Sequence, residues 1–517
     1  MPSHSSQRPE VTPEVTIDRF TEFLIRYRWI LVVPILLPLS TLFNLMWGLR
    51  NFYHRRLRSA PDRHDARVRA IQDRIQRWHD AGRKGRLCTA RPAWMSISTR
   101  MVRYKGSGNT IPIDLYDVLS VDPERGIVRV EPRVTIGQLI TLLLPMGWTL
   151  PVVPELDDLT AGGLFAGYGI ETSSHKYGLF SESIVACDVV LGDGRLVHAS
   201  ATENADLFNA LPWSQGSLGF VVALEIRIIA AQPFVHVTYE PVRGMASACA
   251  AFERETCRAD AADFVEGIVF ARDEAVIMTG RFSPAAKPGK IHAANRWYQP
   301  WFAGRSRNFL ATGPHDEYVP LVDYYRRHVR GMYWESELVV PFGNQAWFRY
   351  LLGWMMPPKI SFLRLTQGDR IKQYYDQKHV IQDALVPIEH LEKTLDTFDR
   401  IFDGYPIWLC PMRVFRKTPG GFINPAADSE MYVDVAVVSV PGPVLRGEKY
   451  NALDGVQRME QFLLENRGYQ GTYAVTLVSR DEFRRMFDLT LYDDVRRRYG
   501  AEGVLMDVYD KVCHVTR

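Results

Sequence analysis

A glycine-rich segment that also carries polar side chains, residues 155–180, is the part of the chain best suited to bind a ligand. Glycine has no Cβ, so a segment of this kind lets backbone N–H groups come close to a phosphate. Two common phosphate-binding motifs are excluded by the spacing. The third glycine of a dinucleotide fingerprint would fall at Thr172, and no Gly-Lys-Ser/Thr sequence ends the segment. Taken alone, the segment fits a surface turn slightly better than a cofactor loop.

Other chemistry is limited by the composition. The six cysteines form no Cys-x-x-Cys pair and have no histidine at zinc-ligand spacing, so we expect reduced thiols and no metal site. The formal net charge of +3 gives no reason to expect a nucleic-acid partner. The chain holds 25 Phe, 23 Tyr and 12 Trp, which suits a large apolar ligand, although aromatic side chains more often fill cores.

The elements around the glycine-rich segment predict an α+β fold. A chain of 517 residues is too long for one core, so two or three domains are expected. Short strands and helices surround the segment, and a hairpin is predicted at the Asp193-Gly194 turn. After residue 231 longer strands alternate with helices without a visible repeat. We therefore predict one domain over residues 55–231 and a second, which includes the C-terminal tail, over residues 232–517.

An uncharged apolar segment, residues 29–49, predicts a membrane helix after an N-terminal tail of residues 1–28. A helix of this length would extend about 32 Å, enough to cross a bilayer core. A signal peptide is disfavoured because the apolar run is long and ends in NFYHRRLR, whereas a buried hairpin stays open. Residues 50–82 predict an amphipathic helix on the body or on lipid, with its apolar side chains at Val68, Ile71, Ile75 and Trp78.

The charges on either side of the apolar segment predict its orientation. Five arginines follow it almost unopposed, whereas acidic residues accompany the arginines before it. The positive-inside rule then puts the body in the cytosol behind a single-pass helix.

Several motifs together resemble a known family. Between residues 121 and 229 the chain reads VDPERGIVRVEPRVTIGQLITLLLPMGWTLPVVPELDDLTAGG, then YGLF, VVLGDGRL and ENADLFNALPWSQGSLGFV. This order resembles the vanillyl-alcohol oxidase and p-cresol methylhydroxylase flavoproteins. SSHKYGLF, EPVRG, PFGN, GWMMPPKISFL and YPIWLCP extend the resemblance nearly end to end, to the sterol side-chain (delta-24) reductases. The resemblance implies a two-subdomain FAD-binding domain, an α+β substrate domain that caps it, and an N-terminal transmembrane helix.

The resemblance also implies how the cofactor is bound. The expected FAD-binding residues lie in the glycine-rich segment and in a second turn: Thr160, Ala161, Gly162, Gly163, Leu164, Phe165, Ala166, Gly167, Tyr168, Gly169, Ile170, Glu171, Thr172, Gly216, Ser217 and Gly219. Many relatives carry an Arg-Gly-Gly-Gly-His-like loop whose histidine bonds to the flavin. Here the chain reads TARPAWMSISTRMVRYKGSG instead, so non-covalent FAD is expected, with Arg91, Ser96 and Ser98 as phosphate contacts.

The implied reaction is reduction of the carbon 24–25 double bond of a sterol, with NADPH as reductant, at the endoplasmic reticulum membrane. We expect Tyr473 or His175 to be the acid, with Glu171, Lys176 and Tyr177 as other candidates. The apolar residues 346–365 are expected to dip into lipid and admit sterol, or to be a core segment. Association with other sterol-biosynthesis enzymes is also expected. A sugar-lactone oxidase of the same flavoprotein family and a non-catalytic flavin-binding scaffold are the alternatives.

Overall fold

The computed structural model describes residues 8, 23, 25, 27–96, 98, 105, 108–366 and 369–513. Its strands are β1 Leu87–Thr89, β2 Asn109–Ile111, β3 Val118–Asp122, β4 Ile127–Val130, β5 Trp148–Thr149, β6 Ile184–Val190, β7 Leu196–Ser200, β8 Phe220–Arg227, β9 Ile229–Ala230, β10 Phe234–Arg243, β11 Phe264–Ala271, β12 Glu274–Ser283, β13 His315–Pro320, β14 Val380–Pro387, β15 Ile407–Phe415, β16 Ser429–Ser439 and β17 Tyr469–Gln470.

Helices are interleaved with these strands within the described residues, which form the predicted α+β fold. They are α1 Trp29–Leu31, α2 Leu37–Leu57, α3 His64–Asp80, α4 Ile136–Leu143, α5 Ala161–Ala166, α6 Ser174–Tyr177, α7 Ala205–Ala210, α8 Met245–Cys257, α9 Phe302–Thr312, α10 Leu321–Tyr325, α11 Glu335–Val339, α12 Ala346–Leu352, α13 Ile360–Thr366, α14 Asp369–Lys378, α15 Leu391–Phe402, α16 Gly442–Leu445, α17 Ala452–Glu465, α18 Arg480–Met486, α19 Thr490–Arg498 and α20 Val508–Val512.

The first large sheet has five antiparallel strands in the order β3-β4-β8-β6-β7. The hairpin of β6 and β7 turns at Gly194, whose φ of 87° a side chain would disfavour. α3 buries Val68, Ile71 and Ile75 in a core with Val190 and Val222 of this sheet. The apolar side of α3 therefore packs on the body.

The second large sheet has eight antiparallel strands in the order β13-β10-β12-β11-β15-β16-β14-β17. Helices α8, α15 and α17 bury apolar side chains in the core of this part of the molecule. The glycine-rich segment meets this sheet, because Tyr168 donates a hydrogen bond to Asp434 of β16. The two large sheets thus enclose the segment between them.

The N-terminal apolar segment is helical, as predicted. α1, a π-helical turn over Val32–Leu36, and α2 follow one another, and residues Trp29–Tyr53 are long and apolar enough to cross a membrane, with a mean hydropathy of 2.0. Within the described residues this is the one helix of that kind.

The last part of the chain returns to the five-stranded sheet. Arg496 of α19 donates to the carbonyl oxygen of Ser217 at 2.7 Å, and the hydroxyls of Tyr492 and Ser217 are 2.7 Å apart. The backbone N–H of Leu87 in β1 donates to Val504. The C-terminal residues therefore complete the first half of the molecule although they follow the second half in sequence.

Candidate active site

A cleft lies between the start of β8 in the five-stranded sheet, the glycine-rich segment and α2. Its larger cavity has a volume of about 510 Å³ and is lined on one side by Gly162, Gly163, Gly216 and Gly219. A second cavity of about 360 Å³ shares several of its walls, including Trp47, Arg50, Arg91, Met95, Tyr116, Arg133 and Thr160. Together the cavities are of the size that holds a large cofactor.

Positive side chains surround the cleft. Arg91 donates to Met95 O at 2.9 Å and to Thr160 Oγ1 at 3.4 Å, while its Nε is buried without a hydrogen-bond partner. Burial, reinforced by the nearby charge of Arg133, lowers the pKa of Arg91 to about 10. Burial also lowers the pKa of Lys105, beside Arg91, to about 8. An anion in the cleft would relieve these penalties and satisfy Arg91 Nε, which suits the diphosphate of a dinucleotide.

The predicted cofactor residues divide into three groups. The first lines the cleft: Thr160, Gly162, Gly163, Ala166, Gly167, Gly216 and Gly219. The second supports it from the core or from the inner turn: Ala161, Leu164, Phe165, Gly169, Ile170 and Ser217. The third lies at the junction with the eight-stranded sheet: Tyr168, Glu171 and Thr172.

Packing within the protein itself explains some of these glycines. A Cβ at Gly162 would come within 2.7 Å of Pro132, so this glycine lets α5 pack on the neighbouring loop. The N–H groups of Ala161 and Gly162 donate to Val134 and Pro132, both at 2.9 Å. Gly216 differs, because its φ is 69° and a Cβ there would meet nothing within 4 Å. Gly216 is thus a position where the backbone itself faces the cleft.

Two tyrosines and two aspartates form a buried cluster beyond the cleft. The Tyr473 hydroxyl donates to Asp383 Oδ1 at 3.0 Å, and the Tyr168 hydroxyl donates to Asp434 Oδ2 at 2.9 Å. The two phenol rings are stacked, with centroids 6.2 Å apart. Asp434 Oδ1 is buried without a partner. We call these four residues the tyrosine–aspartate cluster.

Strand register brings the two aspartates together. Asp434 of β16 lies opposite Leu385 of β14 and Cys410 of β15, and Asp383 is two residues from Leu385. Side chains two apart on a strand share a face, so both carboxyl groups project from the same face of the sheet. Burial raises the pKa of Asp383 to about 7, although the Tyr473 hydrogen bond opposes the rise. Burial and the charge of Asp383 raise the pKa of Asp434 well above its usual range.

The cluster adjoins the cleft through two short connections. Gln215, which lines the cleft, donates to Thr472 Oγ1 at 2.8 Å, next to Tyr473. Ser98 donates to the Tyr473 carbonyl at 2.6 Å. Arg91 lines the cleft, whereas the carbonyl groups of Ser96 and Ser98 accept hydrogen bonds from Arg364.

A buried ion network joins the glycine-rich segment to the second sheet. Arg327 is fully buried and donates to Glu171 Oε1 at 3.0 Å and to Glu266 Oε1 at 2.7 Å. His328 and Trp408 contact the other oxygen of Glu266, at 2.9 and 3.0 Å. Burial would raise the pKa of Glu266, but Arg327 and His328 outweigh it and hold the pKa well below its usual range. The network holds the glycine-rich segment against the second sheet.

His175 is buried near this junction but faces the backbone. Its ring nitrogens lie 3.0 Å from the Thr172 carbonyl oxygen and 2.9 Å from that of Ala262. Burial lowers the pKa of His175 to about 4, so the ring is neutral near pH 7 and carries a single N–H. Lys176 makes an ion pair with Asp263 at 2.8 Å.

Sequence reasoning missed both aspartates and Lys511. The sequence does carry a signal for the aspartates, since each interrupts an apolar run, Asp383 in VIQDALVP and Asp434 in VDVAVV. Lys511 lines the cleft and donates to Gly216 O at 2.8 Å, and nothing in its local sequence predicts that position.

Comparison with known proteins agrees with this geometry. Residues 64–200 match the family described as FAD binding domain. The fold, the cationic glycine-lined cleft and this match define a flavoprotein with an FAD-binding domain.

Relatives that match nearly the whole chain identify the family to which it belongs. The chain is 45% identical over 495 residues to delta(24)-sterol reductase of Homo sapiens, covering 96% of this chain and 95% of that protein. It is 40% identical over 537 residues to delta(24)-sterol reductase of Arabidopsis thaliana, covering 98% and 94%. A carbohydrate oxidase of Microdochium nivale matches only 112 residues, 22% of this chain and 23% of that protein, at 38% identity. The chain belongs to the delta(24)-sterol reductase family.

Proposed function

We propose that this chain reduces the double bond between carbons 24 and 25 of a sterol side chain, with bound FAD and with NADPH as the reductant. Family membership over almost the whole chain supports the substrate and the reaction. The observation that carries the mechanism is the tyrosine–aspartate cluster, a buried source of protons joined to the cationic cleft through Gln215 and Thr472.

The chemistry explains why a buried acid is needed. The carbon 24–25 double bond is not conjugated, so a hydride cannot add to it as to an enone. A proton placed on carbon 24 leaves positive charge on the tertiary carbon 25, and bound FAD, once reduced by NADPH, would supply the hydride that quenches this charge. The protein must therefore provide an acid, a dry site and aromatic faces near the developing cation.

We assign the acid role to Tyr473 and the return of its proton to Asp383. Tyr473 already donates a hydrogen bond to Asp383, and the raised pKa of Asp383 keeps a proton in the cluster near neutral pH. The stacked ring of Tyr168 offers an aromatic face to a cation. His175 is the less suitable acid because both ring nitrogens face backbone carbonyl groups. We propose a structural role for it.

Non-covalent FAD would be held by the residues that line the cleft. Arg91 and Lys511 would face its diphosphate, with Arg133 and Lys105 adding positive charge nearby, and Gly163 and Gly216 would leave room for the cofactor. Tyr168, Glu171 and Thr172 would lie nearer the reacting end. NADPH is proposed as reductant from the family chemistry, docking transiently on the surface.

We propose the cellular location from the sequence and from the apolar N-terminal helix. The apolar helix of residues 29–53 supports membrane attachment, and we propose the endoplasmic reticulum, with the body on the cytosolic side. Association with other sterol-biosynthesis enzymes stays a prediction.

A spectroscopic experiment separates the alternatives. Purified enzyme with FAD is mixed anaerobically with NADPH, and then with a sterol that carries the carbon 24–25 double bond, such as desmosterol. Bleaching of the flavin, followed by recolouring on addition of sterol, is the expected result. Recolouring only with oxygen, and bleaching by a sugar lactone in place of NADPH, would support the oxidase. A flavin that no donor bleaches would support the scaffold.

A further inference from the structure

The apolar N-terminal helix contacts the body from its start to beyond its middle. At its start, Arg28 donates to Leu338 O at 3.1 Å and to the Tyr375 hydroxyl at 2.7 Å. In its middle, Ser40 Oγ accepts the backbone N–H of Lys359 at 2.7 Å. Three residues further along, Phe43 packs on Phe362 with ring centroids 5.4 Å apart. A helix that crossed the bilayer would carry these body residues through the hydrocarbon with it.

The residues that precede the helix in sequence and those that follow it contact the same body. Before the helix, Arg8 makes two hydrogen bonds to the Glu482 carboxylate, at 2.9 and 2.8 Å, and one to Gln457 O at 3.1 Å. After it, α3 packs on the five-stranded sheet. The two ends of a crossing helix would instead be separated by the hydrocarbon core, about 30 Å thick.

The inner side of the helix is a wall of the cleft. Asn44, Trp47, Arg50 and Asn51 line the smaller cavity opposite Pro357–Ser361, and Trp47 with Arg50 also lines the larger one. Trp47 packs on Trp94, another cleft residue, with ring centroids 6.1 Å apart. Removing the helix would therefore open the cleft to solvent.

The outer side of the helix is apolar and continues onto α12. Leu37 and Ser40 on the inner side are 0% and 1% exposed, whereas Leu39 and Leu45 on the outer side are 51% and 63% exposed. Near it lie the exposed apolar and aromatic side chains of Trp347, Tyr350, Leu351 and Trp354. Amphipathic rings of this kind prefer the interface between lipid and water, and the exposed Arg58 suits anionic headgroups.

We propose that α1 and α2 do not cross the membrane but lie along one leaflet as a fixed wall of the cleft, with their outer side and α12 inserted in lipid. The positive-inside rule applies to helices that cross, so the charge asymmetry does not oppose this arrangement. The proposal uses the membrane setting of the proposed function but not the sterol reaction, and its tests do not measure turnover.

The first test measures on which side of the membrane each end lies. Full-length protein with an epitope and an Asn-x-Thr acceptor at both termini is placed in sealed endoplasmic reticulum microsomes. The expected result is that protease added outside removes both epitopes and neither acceptor is glycosylated. Glycosylation of the N-terminal acceptor, with a C-terminal epitope open to protease, would show a crossing helix and overturn the proposal.

The second test compares two leucines of the same helix, one on its inner side and one on its outer side. Leu37→Gln and Leu39→Gln change hydropathy equally, but only Leu37 packs against Trp301, Phe348 and Met356. In detergent, Leu37→Gln should lower the melting temperature and release bound FAD, and Leu39→Gln should leave both at the level of the unsubstituted protein. Equal behaviour of the two variants would contradict the proposal, because a helix held only by lipid or detergent has no inner side.

Discussion

Tyr473 and Asp383 have the most specific role at the scale of single residues, because a 3.0 Å hydrogen bond joins an acid to its proton source. Tyr473→Phe keeps the ring and removes the acidic hydrogen. Loss of a general acid typically slows a reaction by about 10²–10⁴-fold, so turnover should fall by about that factor with FAD still bound. Steady-state assays on FAD-saturated enzyme measure this.

A matched control is Tyr405→Phe. Its hydroxyl donates to Asp399 at 2.7 Å, a comparable bond remote from the cleft. This variant should turn over normally. If Tyr473→Phe also retained most of the activity, the acid would have to be sought elsewhere.

Asp383 makes the activity depend on pH. Its pKa is raised by burial to about 7, so the carboxyl group holds a proton below that pH and cannot return one to Tyr473 above it. Turnover should therefore fall as pH rises through about 7. Asp383→Asn should be slow and show no such fall. A pH profile of Asp383→Asn that matched the unsubstituted enzyme would exclude this role.

The same group links stability to pH. The pKa of Asp383 is higher in the folded protein than the ordinary 3.8, so the folded state binds more protons between about pH 4 and pH 7. The contribution of Asp383 to the free energy of unfolding is complete below about pH 4 and is lost as the pH rises through about 7. Urea unfolding across this range should give a smaller decline with pH for Asp383→Asn, and an unchanged decline would count against the raised pKa.

Arg91 tests the cofactor assignment at the same scale. Its Nε is buried without a partner beside the cleft, so a bound diphosphate should gain a charge-assisted hydrogen bond worth about 1.5–3 kcal/mol. Arg91→Met should weaken FAD binding by roughly 10–100-fold, measured by quenching of flavin fluorescence. The exposed Arg400→Met is the control. Equal affinities in the two variants would contradict the assignment.

At the scale of elements, local sequence predicts local structure well. The Asp193-Gly194 turn predicts the hairpin of β6 and β7, and the apolar positions of α3 predict its buried side. What local sequence cannot predict is which strands become neighbours. Asp383 and Asp434 meet because β14 and β16 pair, and Lys511 reaches the cleft because α20 returns to the first sheet. Both depend on long-range packing that no short pattern encodes.

Arg327 is the element-scale connection between the glycine-rich segment and the second sheet. Its removal leaves Glu171 and Glu266 buried without their cation, which typically costs about 3–5 kcal/mol. Arg327→Met should lower the free energy of unfolding by about that amount and weaken FAD binding as the junction loosens. Arg272→Met, which breaks exposed pairs with Asp396 and Asp399, should cost about 0–1 kcal/mol. Chemical denaturation of both variants measures how much free energy of unfolding each one loses. Equal losses would refute the role of the buried network.

At the scale of the whole molecule, the two sheets, the C-terminal return and the N-terminal helix enclose one cleft. This arrangement explains why the family resemblance extends over almost the entire chain. Residues 64–200 match the FAD binding domain and include Tyr168, but β14, β16 and a later turn supply Asp383, Asp434 and Tyr473, and α20 supplies Lys511. A short match to a carbohydrate oxidase covers 22% of the chain and cannot include all these parts.

Analysis of the sterol product gives the clearest test of the proposed reaction. Membrane-bound enzyme with FAD is given NADPH and a sterol that carries the carbon 24–25 double bond, and the sterol is analysed by mass spectrometry. We expect a product with two more hydrogen atoms, saturated at carbons 24 and 25, and one NADPH oxidised for each product formed. Unchanged sterol with FAD-loaded, folded enzyme, or NADPH consumed only by oxygen, would contradict it.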